Sequence, residues 1–219
     1  MVKPRVVETD HGIQGEFVVQ DYDKMMRYLR DKGWMETDRI ISCGIDHGLA
    51  LEVGPGPGYL GFEWLKKTSG TQLKGVEISP DMVKLALKNA KEYGVDDRVE
   101  YALSDAHRIP FDDNTFDAAF TNGSLHEWSK PEVIFHEIYR VLKPSGNYFI
   151  SDLRRDMNVF IKMFLWLTVK PKEMKPGLIS SINASYTFDE IQSILNGSKM
   201  KEALVTKTLL GFEITGQKI

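Results

Sequence analysis

The 219-residue sequence predicts an α/β fold: a mostly parallel sheet of seven strands, helices on both faces, and an antiparallel hairpin at the C-terminus. Three observations carry that prediction. Apolar runs of strand length alternate with stretches of helical period, the pattern of a parallel sheet covered by helices. The first run breaks into a glycine-rich turn, LEVGPGPGYLG, at residues 51–61. Two alternating segments at the end of the chain, residues 203–210 and 212–218, meet at Gly211 with room for only a tight turn between them.

Five parallel strands are expected, at residues 49–54, 73–78, 99–103, 116–121 and 148–152. A helix over 59–67 follows the glycine turn. The next, over 80–93, has Ser79 as N-cap, Pro80 in the first helical position and Gly94 as its stop, with Met82, Val83, Leu85, Ala86 and Ala90 as its buried stripe. Another spans 131–142, with Ser129 near its start and LKPSG as the break behind it. Residues 20–43 are of helical character, with Tyr22, Met25, Met26 and Leu29 as apolar contacts, and precede the sheet as a flap. Beyond the fifth strand come a greasy helix over 157–169, a Pro/Lys-rich link, and a helix over 188–195 capped by Thr187.

Composition excludes several classes. With 42% hydrophobic and 27% charged residues the chain can bury an ordinary core, and its length suits one large domain. A net charge of -3 gives no general pull toward nucleic acid. The single cysteine, Cys43, rules out an intramolecular disulfide and any Cys-rich metal site, and fits a reducing, cytoplasmic setting. The longest apolar segment is interrupted by Lys162 and is too short to span a bilayer.

Gly56, Gly58 and Gly61 satisfy G-x-G-x-x-G, so the turn alone admits either a phosphate-bearing dinucleotide or a cofactor without phosphate. Glu77, ending the second strand, could hold ribose hydroxyls in both cases. The residues downstream separate the two: SDA at 104–106, RIPFDDNTFDAAFTNGSLHEW at 108–128, VLKPSGNYFISD at 141–152, and then the terminal hairpin. At these residues the chain resembles the class I S-adenosylmethionine-dependent methyltransferases, in the small-molecule branch that contains the ubiquinone/menaquinone and sterol enzymes. The resemblance covers residues 49–152 strongly.

That resemblance implies a Rossmann-like sheet, S-adenosyl-L-methionine as cofactor, S-adenosyl-L-homocysteine as product and a small-molecule methyl acceptor. Residue by residue, it implies that Glu52 orients the methionine ammonium and that Gly54, Gly56 and Gly58 let the backbone lie against the cofactor. Glu77 would accept from both ribose hydroxyls, Ile78 would press the adenine, Asp105 would accept from the adenine amine with Ala106 beside it, and Asn122 would bond the methionine end. Ser124, His126, Glu127 and Trp128 would border the acceptor. His126 is the general-base candidate, because an imidazole can be neutral near pH 7. The cofactor is a cation without phosphate, and the acids at these positions suit it. No metal site is expected, since Asp152 alone is weak support for one. The alternatives kept open are an NAD-dependent oxidoreductase and a noncatalytic cofactor-binding module.

The expected organisation is one domain: a helical lid over 1–46, a cofactor-binding core over 47–152, a substrate-side helical insert over 153–200 and a hairpin over 201–219. The segment MNVFIKMFLWLTV is apolar nearly all round a helix and must cover something. Burial against the domain or across a homodimer is the favoured expectation. A lid over an apolar acceptor comes next, and docking on a membrane surface, which Arg154, Arg155, Lys170, Lys172 and Lys175 would favour, comes last.

Overall fold

A computed structural model describes residues 3–8 and 12–219. Residues 1, 2 and 9–11 of the expected lid lie outside the described residues. The chain begins with two helices, α1 (Glu16–Asp31) and α2 (Thr37–Ser42). The core then alternates through β1 (Leu49–Val53), α3 (Tyr59–Lys67), β2 (Gln72–Glu77), α4 (Pro80–Tyr93), β3 (Val99–Leu103), β4 (Phe116–Asn122), α5 (Pro131–Val141) and β5 (Leu142–Leu153). Helices α6 (Val159–Thr168), α7 (Lys175–Ala184) and α8 (Phe188–Asn196) follow, and β6 (Leu204–Lys207) and β7 (Gly211–Gln217) close the chain.

The seven strands form one sheet in the order β3-β2-β1-β4-β5-β7-β6. All pairs from β3 to β5 are parallel, while β7 runs antiparallel to both β5 and β6. Strand order reverses between β1 and β4, which places a crevice at their carboxyl ends.

Two apolar layers hold the sheet. Leu51 and Val53 face the layer that contains Ile134, Phe135 and Ile138 of α5 and Ile191 and Leu195 of α8. Ala50 faces the other, with Tyr59, Phe62, Trp64 and Leu65 of α3 and Ala90 of α4. The period of two along β1 therefore turns Glu52 toward α3, on the side away from Val53.

Local chemistry fixes several boundaries. The side chain of Ser79 accepts from the Met82 N–H at 3.2 Å, Pro80 opens α4, and Gly94 closes it in the left-handed conformation, as expected. Thr187 and Glu190 form a reciprocal capping box at the start of α8.

Other expectations need correction. Ser129 lies two residues before α5, as expected, but the N-cap position is Lys130, and the rigid φ of Pro131 starts the helix without a side-chain cap. The predicted single stretch over 20–43 is two helices, because Gly33, at φ 68, turns the chain between them. The LKPSG break lies inside β5 as an irregularity in its pairing with β4, where the register jumps from Leu142 to Asn147. The Pro/Lys-rich link contains α7, which Pro176 opens within its first turn. In the hairpin, residues 208–210 make the turn, held by the Thr208 N–H to the Gly211 carbonyl at 2.9 Å. Gly211 is a strand residue: a Cβ there would collide with the Asp152 carbonyl of β5. The greasy helix is not buried against its own domain, because α6 has no buried residue within the chain.

Candidate functional site

A cleft of about 760 Å³, open to solvent, lies at the carboxyl ends of the strands. Its walls come from the carboxyl ends of four of the parallel strands: Gly54 and Gly56 after β1, Glu77 and Ile78 at the end of β2, Ser104 to His107 after β3, and Gly123, Ser124, Glu127 and Trp128 after β4. Gly12, Ile13 and Tyr22 cover it from the N-terminal side.

The glycines divide into two groups. Gly54 and Gly56 have positive φ and line the cleft, and a Cβ on Gly56 would stand 3.4 Å from the Tyr22 ring. Gly58 also has positive φ, at 92°, but a Cβ there would strike Phe62 and the Tyr101 hydroxyl, inside the protein. Gly58 therefore serves packing and does not reach the wall. Gly61 does the same beneath it, where a Cβ would meet Leu73 and the Glu52 carboxyl.

Glu77 joins the glycine turn to α4. One carboxylate oxygen accepts from the Gly56 N–H at 3.0 Å and the other from the Ser79 N–H at 2.9 Å. Burial raises its pKa, against the lowering effect of these backbone bonds. Asp105 caps the short turn after β3, accepting from the His107 N–H at 2.8 Å, and its carboxylate lies 2.7 Å from His107 Nδ1. Ile78 and Ala106 both lie on the wall.

Asn122 and Glu52 do not line the cleft either. Asn122 donates from Nδ2 to the Ser151 hydroxyl of the neighbouring strand at 2.8 Å. Glu52 is 2% exposed, and its Oε2 has no hydrogen-bond partner. Burial, with the Glu77 charge adding to it, pushes its pKa up to about 8, so at neutral pH it is mostly a neutral acid beneath α3. The alternation along β1 was the available sign: if Val53 faces the cleft, Glu52 cannot.

His126 is buried and does not line the cleft. Asp152 accepts from its backbone N–H at 2.7 Å, and the same carboxylate lies 2.9 Å from Nδ1. Burial favours the neutral ring, but the Asp152 carboxylate outweighs it and the pKa is pushed up to about 9. His126 is thus an imidazolium at neutral pH, contrary to the neutral base that the sequence suggested. The adjacent Glu127 does line the cleft, and no side-chain hydrogen bond engages it among the described residues. Burial and nearby acids raise its pKa to about 7, against the lowering effect of His126.

The N-terminal cover is pinned by polar contacts that the sequence did not signal. The Ser79 hydroxyl donates to the Ile13 carbonyl at 2.6 Å, and the Gly15 N–H donates to Asp81 at 3.0 Å. Arg5 donates to the carbonyls of His126 and Trp128 at 2.9 and 3.1 Å, fastening residues 3–8 to the loop after β4. Asp23 of α1 accepts from the Tyr59 hydroxyl at 2.8 Å and from Asn89 at 3.0 Å.

Among the described wall residues there is no lysine or arginine, whereas Glu77, Asp105 and Glu127 are all present. With the Gly56 N–H already given to Glu77, this set of acceptors suits a cationic nucleoside better than a pyrophosphate.

Comparisons with known proteins agree with this chemistry. A family model described as a methyltransferase domain matches residues 51–150. A demethylmenaquinone methyltransferase of Protochlamydia amoebophila is 29% identical over 209 residues, covering 91% of this chain and 85% of its own. A sterol 4-C-methyltransferase of Caenorhabditis elegans is 34% identical over 113 residues, 52% of this chain and 30% of its own. The chain spans only 26–37% of the length of three curated relatives that it matches over its core. A crystal structure from Methanococcus maripaludis, assigned to the S-adenosyl-L-methionine-dependent methyltransferases, superposes with TM-score 0.73 and 25% identity, covering 94% of this chain and 95% of its own.

Proposed function

We propose, from the premise that this chain belongs to the class I S-adenosylmethionine-dependent methyltransferases, that it transfers a methyl group to a small-molecule acceptor and releases S-adenosylhomocysteine. One observation carries the reading: a glycine turn and a strand-end acid frame a cleft whose described walls hold carboxylates and no lysine or arginine.

The cofactor supplies an electrophilic methyl on a sulfonium and leaves as a thioether. Glu77 takes the ribose hydroxyls, and its two backbone bonds hold the carboxylate in place for them. Gly54 and Gly56 bring bare backbone against the cofactor, while Ile78, Ala106 and Asp105 flank the base. Glu52 and Asn122 act from behind the wall, shaping the turn and the end of β4. Gly12, Ile13 and Tyr22 exclude water over the reacting atoms, which an in-line displacement needs more than it needs a strong base. Where the acceptor gives up a proton, Glu127 takes it, since it faces the chamber and titrates near neutrality beside the His126 cation. His126, held by Asp152, sets the charge of that carboxyl.

The test is incubation of the protein with methyl-labelled cofactor and a fractionated small-molecule extract. The expected outcome is label in one acceptor fraction and none when Glu77 is replaced by Ala. Cofactor binding without transfer to any fraction would favour a noncatalytic binding module.

A further inference from the structure

Among the described residues, the densest run of exposed apolar side chains is on α6, VFIKMFLWLT. Val159, Phe160, Met163, Phe164, Trp166 and Leu167 are 42–71% exposed, and Ile179 of the contacting α7 is 47% exposed. At 3.6 residues per turn those six positions fall in one sector of about 160°, while Ile161 and Leu165, both partly buried, lie on the opposite side. The helix therefore rests on the protein by a thin inner stripe and presents a continuous apolar face outward. Singly scattered exposed apolar residues need no explanation, but a contiguous face of this kind does.

The charges around that face identify what covers it. Residues 154–175 carry six cations and two acids in a chain whose net charge is -3. Arg154 pairs with Asp156 and Arg155 with Glu190. Lys170, Lys172 and Lys175, beyond the C-terminal end of α6, make no ion pair among the described residues. Lys175 instead sits over the Trp166 ring, with Nζ 3.7 Å from its centroid. A tryptophan with a lysine over its ring on the rim of an apolar helix face is suited to the headgroup level of a bilayer, with the apolar side chains below it and the ammonium group among anionic lipids. A second copy of the chain suits it poorly, because a two-fold contact would set this net-positive segment against itself.

We propose that α6 and the lysines beyond it dock this protein on an anionic membrane surface, lying in the interface without crossing it. No described helix is long and apolar enough to span a bilayer. The proposal does not depend on the chemistry of the cleft.

Co-sedimentation of the full chain with vesicles tests it. At about 0.1 M salt the protein should pellet with vesicles of three parts phosphatidylcholine to one part phosphatidylserine and remain in solution with phosphatidylcholine alone. Trp166 emission should shift to the blue on binding, a shift lost in Trp166→Phe. The pair Lys170→Glu and Lys172→Glu should weaken partitioning by at least about fivefold per lysine. The pair Phe160→Ser and Phe164→Ser should weaken it comparably. All four positions are exposed, so an unchanged melting temperature confirms that each variant is folded. Failure of the wild type to pellet with the anionic vesicles would overturn the proposal. So would variants that bind as well as wild type, or a dimer in sedimentation velocity that the phenylalanine pair dissolves.

Discussion

Glu77 and Glu52 end neighbouring strands, yet their environments divide their work. Glu77 is tied to two backbone N–H groups at the cleft wall, and Glu52 is sealed under α3 with an unpartnered oxygen. Replacing Glu77 by Ala removes the acceptor of both ribose hydroxyls, so affinity for S-adenosylhomocysteine should fall about 10- to 100-fold, the scale of one or two charge-assisted hydrogen bonds. Glu52 makes a different prediction. Its folded pKa, about 8, is above the ordinary carboxylate value, so the folded state holds a proton that the unfolded chain releases. Stability from this site therefore declines as pH rises from the ordinary carboxylate range to about 8. Glu52→Gln should raise the melting temperature at pH 9 by about 3 °C, on the order of 1 kcal/mol, and by less at pH 5. Differential scanning calorimetry at the two pH values checks this, and an equal effect at both would contradict the buried neutral acid. Glu127 titrates at about 7 with His126⁺ lowering it. For an acceptor that loses a proton, Glu127→Gln should flatten the limb of the pH–rate profile near neutrality, and His126→Gln should move that limb upward in pH.

At the scale of elements, close approach explains more of the glycine turn than ligand contact does. Gly61 lets α3 lie over Glu52 and Leu73, so Gly61→Ala should cost about 1–3 kcal/mol by overpacking, read from denaturant unfolding, with little change in the shape of the cleft. Removing Ser79's hydroxyl by Ser79→Ala takes away both the cap of α4 and the bond to Ile13. Amide exchange at residues 12–15 should then accelerate, whereas loss of the cap alone would leave that segment protected. These elements also show what could be read from sequence. Helix α4 was legible to the residue because Ser79, Pro80 and Gly94 each carry a local conformational preference. Helix α7 was not, since its Pro176 and Gly177 read as breakers although a proline in the first helical turn is compatible with the helix. Gly211 read as a turn because its real constraint, the approach of the β5 backbone, comes from the strand on the far edge of β7 from its hairpin partner.

For the whole molecule, the strand order and the reversal between β1 and β4 come from the structure alone, but the mostly parallel seven-stranded sheet and its terminal hairpin were legible before it. The burial of α6 was not, because an apolar helix carries the same sequence whether it faces a core or faces outward. Nor was the orientation of His126 against Asp152, a contact between residues 26 positions apart. The central claim remains electrostatic: described cleft walls bearing three carboxylates and no lysine or arginine favour a sulfonium nucleoside over a pyrophosphate. Isothermal titration calorimetry with S-adenosylhomocysteine and with NAD tests it most directly. The account predicts saturable binding of the first, lost or strongly weakened in Glu77→Ala, and no measurable heat with the second; NAD binding of equal or greater strength would contradict it.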